Sequence, residues 1–167
     1  MLTIRCTQKL LKELKVAQGG GEPQDGYLGG WHADLLRIER RKCVLITNDA
    51  TLYSLFIPGL KKQEFERFGE VFMQHLFRNL RCEGFEQHQI ERVLDEYREI
   101  KIAKTNNRSV LGSMNDLKYQ VEGIIWEIGG LDQVDLISLN QKLNRIPMGA
   151  IKYSYSIEAL KRRLAAA

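Results

Sequence analysis

The stretch Lys104-Thr105-Asn106-Asn107-Arg108-Ser109-Val110-Leu111-Gly112-Ser113-Met114-Asn115-Asp116 gathers the side chains best suited to hold an anion. It reads as the start of a helix, where backbone N–H groups have no partner within the helix and the macrodipole favours negative charge. Lys104, Arg108 and the Ser109 hydroxyl would add charge and a donor to those amides, and a phosphate is the natural ligand. At 100° per residue Arg108, Gly112, Asn115 and Tyr119 share one face, opposite an apolar stripe of Val110, Met114, Leu117, Val121, Ile124, Ile125 and Ile128. Gly112 costs such a helix about 1 kcal/mol relative to alanine and leaves room for a close neighbour. The candidate ligand set is Lys104, Asn106, Asn107, Arg108, Ser109, Gly112 and Asn115; a capped helix start with a solvated polar face is the plain structural alternative.

Two further constellations could take part. Gly29-Gly30-Trp31-His32 closes a glycine-rich run from Gly19, a composition that suits a flexible recognition loop or lid, with His32 as the best available general base. No Gly-Lys-Ser/Thr follows, so this is not a phosphate-binding loop of the nucleotide-hydrolase kind, and Trp31 could equally be a core anchor. Arg37, Arg40, Arg41 and Lys42 put four cations at an expected hairpin turn, which would suit a nucleic-acid backbone or merely protect the hairpin edge. Metal binding is not expected: Cys82 and His88 have no second ligand pair, and no HExxH is present. No cofactor motif is found. The cysteines Cys6, Cys43 and Cys82 are odd in number and widely spaced, which fits reduced thiols in a cytosol.

The elements that would position these residues follow from periodicity. Residues 2–6 alternate as a first strand, and Thr7 would cap a helix over 8–16 with Leu10, Leu11 and Leu14 inward. Strands at 33–38, 43–47 and 51–57 form a meander with turns at Glu39-Arg40-Arg41-Lys42 and Asn48-Asp49-Ala50. The run Cys43-Val44-Leu45-Ile46 suggests burial on both faces. From residue 61 a helical stripe runs through Phe65, Phe68, Phe72, Leu76 and Leu80. Helices over 86–102, from 109 to Gly129-Gly130, over 134–144 and over 156–164 complete the chain, with a last strand near 151–155. The expected fold is α+β: a small, mostly antiparallel sheet, the 33–57 meander plus terminal strands, with four to five helices packed on one side. A single domain over residues 1–164 is expected, and Ala165-Ala166-Ala167 reads as a cloning scar.

The chain of 167 residues carries a formal charge of +4. Residues 1–62 hold 10 basic and 6 acidic residues, 63–103 hold 6 and 9, and 104–164 hold 9 and 6, so an acidic helical block lies between two basic ones. That distribution permits contact with nucleic acid or another phosphate-bearing ligand. No run of 18 apolar residues exists and Met1–Cys6 lacks a signal-peptide layout, so a cytoplasmic protein without membrane contact is expected.

Several blocks together carry a resemblance. Met1-Leu2-Thr3-Ile4-Arg5-Cys6-Thr7-Gln8-Lys9-Leu10-Leu11, Gly30-Trp31-His32-Ala33-Asp34-Leu35-Leu36-Arg37-Ile38 with Arg40-Arg41-Lys42-Cys43-Val44-Leu45, Asn48-Asp49-Ala50-Thr51-Leu52-Tyr53-Ser54 and Thr105–Asp116 resemble a bacterial family described only as a domain of unknown function. The resemblance covers about residues 1–163 and implies a bacterial or mobile-element origin. It implies no activity, cofactor or catalytic residue. The functional expectation is therefore a binding or regulatory module for nucleic acid or another phosphate-bearing ligand. An enzyme acting on a phosphate-containing substrate at Lys104–Ser109 is the alternative, and a protein-binding subunit, antitoxin-like or a homodimer, is a third.

Overall fold

A computed structural model describes residues 1–15 and 25–165. The strands are β1 (Leu2–Cys6), β2 (Trp31–Ile38), β3 (Arg41–Asn48), β4 (Ser54–Ile57), β5 (Ile100–Lys104), β6 (Pro147–Met148) and β7 (Ser154–Tyr155). The α-helices are α1 (Gln8–Leu14), α2 (Lys62–Glu66), α3 (Phe68–Cys82), α4 (Gln87–Glu96), α5 (Arg108–Glu127), α6 (Leu136–Leu143) and α7 (Ser156–Ala165). Five strands form one sheet in the order β4-β3-β2-β1-β5, and β6 pairs with β7 separately.

The α+β class holds, but the sheet is mixed rather than mostly antiparallel. β1 is parallel to both neighbours, with Ile4 opposite Trp31 and Ile102, whereas β2–β3 and β3–β4 are antiparallel. β5 overlaps the end of the stretch expected as a helix over 86–102. There α4 stops at Glu96, and Ile100–Lys104 instead completes the far edge of β1.

Helices also cover both faces of the sheet, not one. Side chains alternate along a strand, so Leu2, Ile4, Cys6, Ala33, Leu35, Val44, Ile46, Leu55 and Ile57 face one way and pack with α1, α3, α4 and α7. Leu36, Ile38, Cys43, Leu45 and Phe56 face the other way, against α5 and α6. The Phe65 to Leu80 stripe is buried, although Arg67 breaks it into α2 and α3. The expected helix over 8–16 is shorter, because Lys15 closes α1 in the left-handed region. The glycines from Gly19 to Gly21 and the last two alanines lie outside the described residues, while Ala165 closes α7.

The edge strand β4 is completed by side chains. Asn144 accepts from the Ser54 N–H at 2.7 Å and donates to the Ser54 carbonyl at 2.8 Å. Asn140, one turn earlier on α6, does the same for Phe56 at 2.7 and 3.2 Å. Two buried amides thus take the place of a sixth strand and close an edge that would otherwise be open to pairing.

Candidate functional site

β1 ends at Cys6, opposite Ala33, while its neighbour β2 runs on to Ile38. The last bond between them is the Thr7 N–H to the Ala33 carbonyl, 3.1 Å. Beyond it the outer edge of β2 has no partner strand among the described residues. The Leu35 N–H turns to the Asp34 carboxylate at 2.8 Å, and by strand alternation the Leu35 carbonyl and the Arg37 N–H point to the same open edge. A crevice of about 620 Å³ lies against this edge, lined by Lys9 of α1, Leu35, Leu36 and Arg37 of β2, and Asn115, Lys118, Tyr119 and Glu122 of α5. It sits outside the carboxyl ends of parallel strands, the usual place for ligands in sheets of this kind.

Asp34 anchors that crevice. Its side chain is buried and accepts from the Thr7 hydroxyl at 2.7 Å and from Lys118 Nζ at 2.6 Å, besides the Leu35 amide. Burial alone would raise its pKa, but the hydrogen bonds from Lys118 and Thr7, with the charges of Lys118 and Lys9, hold it below the usual carboxylate range. Asp34 therefore stays ionised and fixes Lys118 at the crevice wall. A second tie lies further along, where Glu39 accepts from the Leu131 N–H at 2.8 Å, just past the glycine cap of α5 at Gly129-Gly130. From Asp34 to Glu39 is about 17 Å at strand rise, and from Lys118 to the last residue of α5, Glu127, is about 14 Å at helix rise, with Ile128–Gly130 covering the remainder. The matching lengths let α5 run alongside the β2 edge between the two ties.

Beside the crevice is a buried polar knot. His32 Nδ1 stands 2.6 Å from Asp49 Oδ1, and His32 Nε2 accepts from the Asn106 N–H at 3.3 Å. An amide N–H facing Nε2 requires a lone pair there, so the ring proton sits on Nδ1 and is donated to Asp49. Arg5 reaches Asp25 at 3.4 Å and Asp49 at 3.8 Å. Gly30 lies against the Arg5 guanidinium so closely that any side chain there would displace it. The knot holds the β5–α5 connection against β2 and thereby sets where α5 begins.

The residues singled out from sequence separate into groups. Trp31 faces the opposite side of the sheet, fully buried, with Phe72 edge-on at 5.1 Å between ring centroids and its N–H given to the Tyr97 hydroxyl at 3.0 Å. His32 and Asn106 meet in the knot. Asn107 caps α5, accepting from the Val110 N–H at 3.1 Å. Lys104, Arg108 and Ser109 are exposed around that helix start, and Gly112 has open space around it, so no neighbouring backbone uses the room it leaves. Asn115 and Arg37 come together at the crevice. The basic turn is also smaller than expected. The turn is Glu39-Arg40, both with positive φ, while Arg41 and Lys42 belong to β3 and are paired with Asp132 at 2.7 Å and Glu13 at 2.8 Å. Arg37 and Arg40 are left without an ion-pair partner among the described residues. Sequence reasoning missed Thr7, Lys9, Asp34, Lys118 and the Arg5–Asp49 pair; the one visible signal was a carboxylate inside the otherwise apolar strand Ala33-Asp34-Leu35-Leu36.

No group of three or more His, Cys, Asp or Glu side chains among the described residues is placed to hold a metal ion, and no described helix is long and apolar enough to cross a membrane. Fold and site thus define an α+β protein with a mixed sheet and a crevice at the open edge of one strand. The family model for Domain of unknown function (DUF6933) matches residues 3–159, and the chain belongs to that family. No curated protein and no solved structure matches it.

Proposed function

We propose that this chain is a bacterial, cytoplasmic binding or regulatory module whose crevice beside β2 takes a phosphate-bearing ligand. The supporting observation is the convergence of Lys9, Arg37 and Lys118, from three separate elements, on one crevice floored by an unpaired strand edge. Asp34 offsets Lys118 and Glu122 lies on the wall, so the attraction rests on Lys9 and Arg37, with Arg108 on the same helix face as Asn115. The backbone edge and the Asn115 amide add neutral hydrogen-bonding groups. General-base catalysis through His32 gains no support from this geometry, because its ring nitrogens are engaged by Asp49 and Asn106 and the side chain is fully buried.

Isothermal titration at low salt with tripolyphosphate, a nucleoside triphosphate and a short oligonucleotide tests the proposal. At least one of these polyanions binds the wild type, and the K9A/R37A variant, altered at two exposed positions, binds it markedly more weakly while keeping its fold by circular dichroism. No binding of any of the three at low salt rejects the reading.

A further inference from the structure

The outer face of α5 carries two large aromatic side chains that nothing covers among the described residues. Tyr119 is 76% exposed and Trp126 is 83% exposed. Taken at 100° per residue, Arg108, Asn115, Tyr119, Glu122 and Trp126 fall within a sector of about 60°, centred about 130° from the middle of the buried stripe of Val110, Met114, Leu117, Val121 and Ile125. Tyr119 lines the crevice beside β2 on one flank and a second cleft, against Ile146–Ala150, on the other. It therefore stands as a ridge between two hollows. Trp126 follows two helical turns later, about 10.5 Å along the axis, on the stretch of α5 that leads to the tie near Glu39 and Arg40.

We infer that the phosphate-bearing ligand of the crevice is a single-stranded nucleic acid, its bases stacking on Tyr119 and Trp126 while Lys9, Arg37 and Arg108 face its phosphates. This rests on the crevice reading above. A strand of cations beside exposed aromatics on one helix face is the combination by which proteins hold unpaired bases, since every base has a face to stack and a phosphate to neutralise. A duplex hides those faces within its own stack and would leave both aromatics unused. The stretch between the ties at Asp34–Lys118 and Glu39–Leu131 is about 17 Å long, room for about five nucleotides at the roughly 3.4 Å spacing of a stacked strand, and Arg108 lies about 15 Å further along α5, beyond the first tie. Glu122, between the two aromatics in sequence, lines the crevice and opposes the phosphates.

The test is fluorescence anisotropy with labelled oligo-dT, oligo-U and a blunt duplex of equal length, read on the wild type, Y119A, W126A and K9A/R37A. Both aromatic positions are exposed, so their truncation does not threaten the fold. The single strands bind more tightly than the duplex, and Y119A and W126A each weaken them by about 5- to 150-fold. The strand also quenches tryptophan emission, and the quench disappears in W126F, because Trp31 is sealed in the core. The relative affinity of the RNA and DNA strands identifies which the site prefers. If K9A/R37A loses binding but Y119A and W126A do not, or the duplex binds as well as the strands, stacking is refuted and the crevice reading stands. If no strand binds at low salt, the inference is overturned; the crevice reading falls with it only when tripolyphosphate and the nucleoside triphosphate do not bind either. A defined dimer that shields Trp126 from iodide, with no strand bound, assigns the face to protein contact and overturns the inference.

Discussion

Replacing Asp34 is the most informative perturbation of the crevice itself. Its carboxylate accepts from Thr7 at 2.7 Å, from the Leu35 amide at 2.8 Å and from Lys118 at 2.6 Å, and its side chain is only 7% exposed. Asp34→Ala leaves these donors facing a void. Breaking a buried charge pair costs about 3–5 kcal/mol, but Lys118 is 22% exposed and regains water, which lowers the expected loss to about 2–4 kcal/mol. For a chain of this size, that is a fall in Tm of about 4–16 °C. Asp34→Asn keeps the shape and loses the charge, so it costs less. The pH dependence follows from the depressed pKa. A carboxyl whose folded pKa lies below its unfolded value of about 3.9 stabilises the fold above the unfolded value, and the contribution is lost as pH falls through the folded pKa. The stability gap between wild type and D34N, from urea unfolding, is therefore full at pH 6–7 and closes below about pH 4. A D34A loss under about 1 kcal/mol at pH 7, or a gap that persists on acidification, refutes the assignment of Asp34 as the charged anchor of Lys118.

Other consequences can be checked with single variants. Asn140→Ala and Asn144→Ala each strand a buried N–H and C=O of β4, so each lowers stability by about 1–3 kcal/mol in chemical denaturation; both variants also aggregate more readily by light scattering, because the β4 edge opens. Among the thiols, Cys82 is exposed and reacts quickly with a disulfide reagent. Cys6, whose pKa burial pushes up to about 12, and Cys43, also raised by burial, react only on unfolding, and three fast thiols would contradict the core packing. Glu122→Gln removes the carboxylate from the wall of the crevice and tightens polyanion binding by about 2- to 10-fold at low salt; weaker binding would mean that the ligand lies elsewhere.

Local patterning made the local structure visible. The β2–β3 hairpin, the phenylalanine stripe of α3 and the start of α5 all follow from spacing within one element. What was not legible depends on distant partners. Ile100 and Ile102 belong to a strand only because β1 lies beside them, and the Ile90, Val93, Leu94, Tyr97 spacing of the preceding helix hides the change of period. The run Cys43-Val44-Leu45-Ile46 already implied two covered faces, which a one-sided helix layer could not supply. The same holds for the site. The crevice exists because β1 is shorter than β2, a difference between two paired strands that neither sequence reveals alone. Asp34 and Lys118 are 84 positions apart, and Asn115 gains meaning only when Arg37 is placed across from it. Asn107, by contrast, turns out to be a helix cap, which its position before an apolar stripe already allowed.

The central claim is that the crevice beside β2 holds phosphates. Its most direct test is the salt dependence of single-strand binding in wild type and K9A/R37A. With Lys9, Arg37 and Arg108 each neutralising one phosphate at about 0.7 per contact, the logarithm of the affinity falls with the logarithm of salt with a slope of about −2 in the wild type. In K9A/R37A, where Arg108 alone remains of the three, the slope shrinks to about −0.7. Equal slopes in the two proteins, or binding indifferent to salt, would contradict the claim.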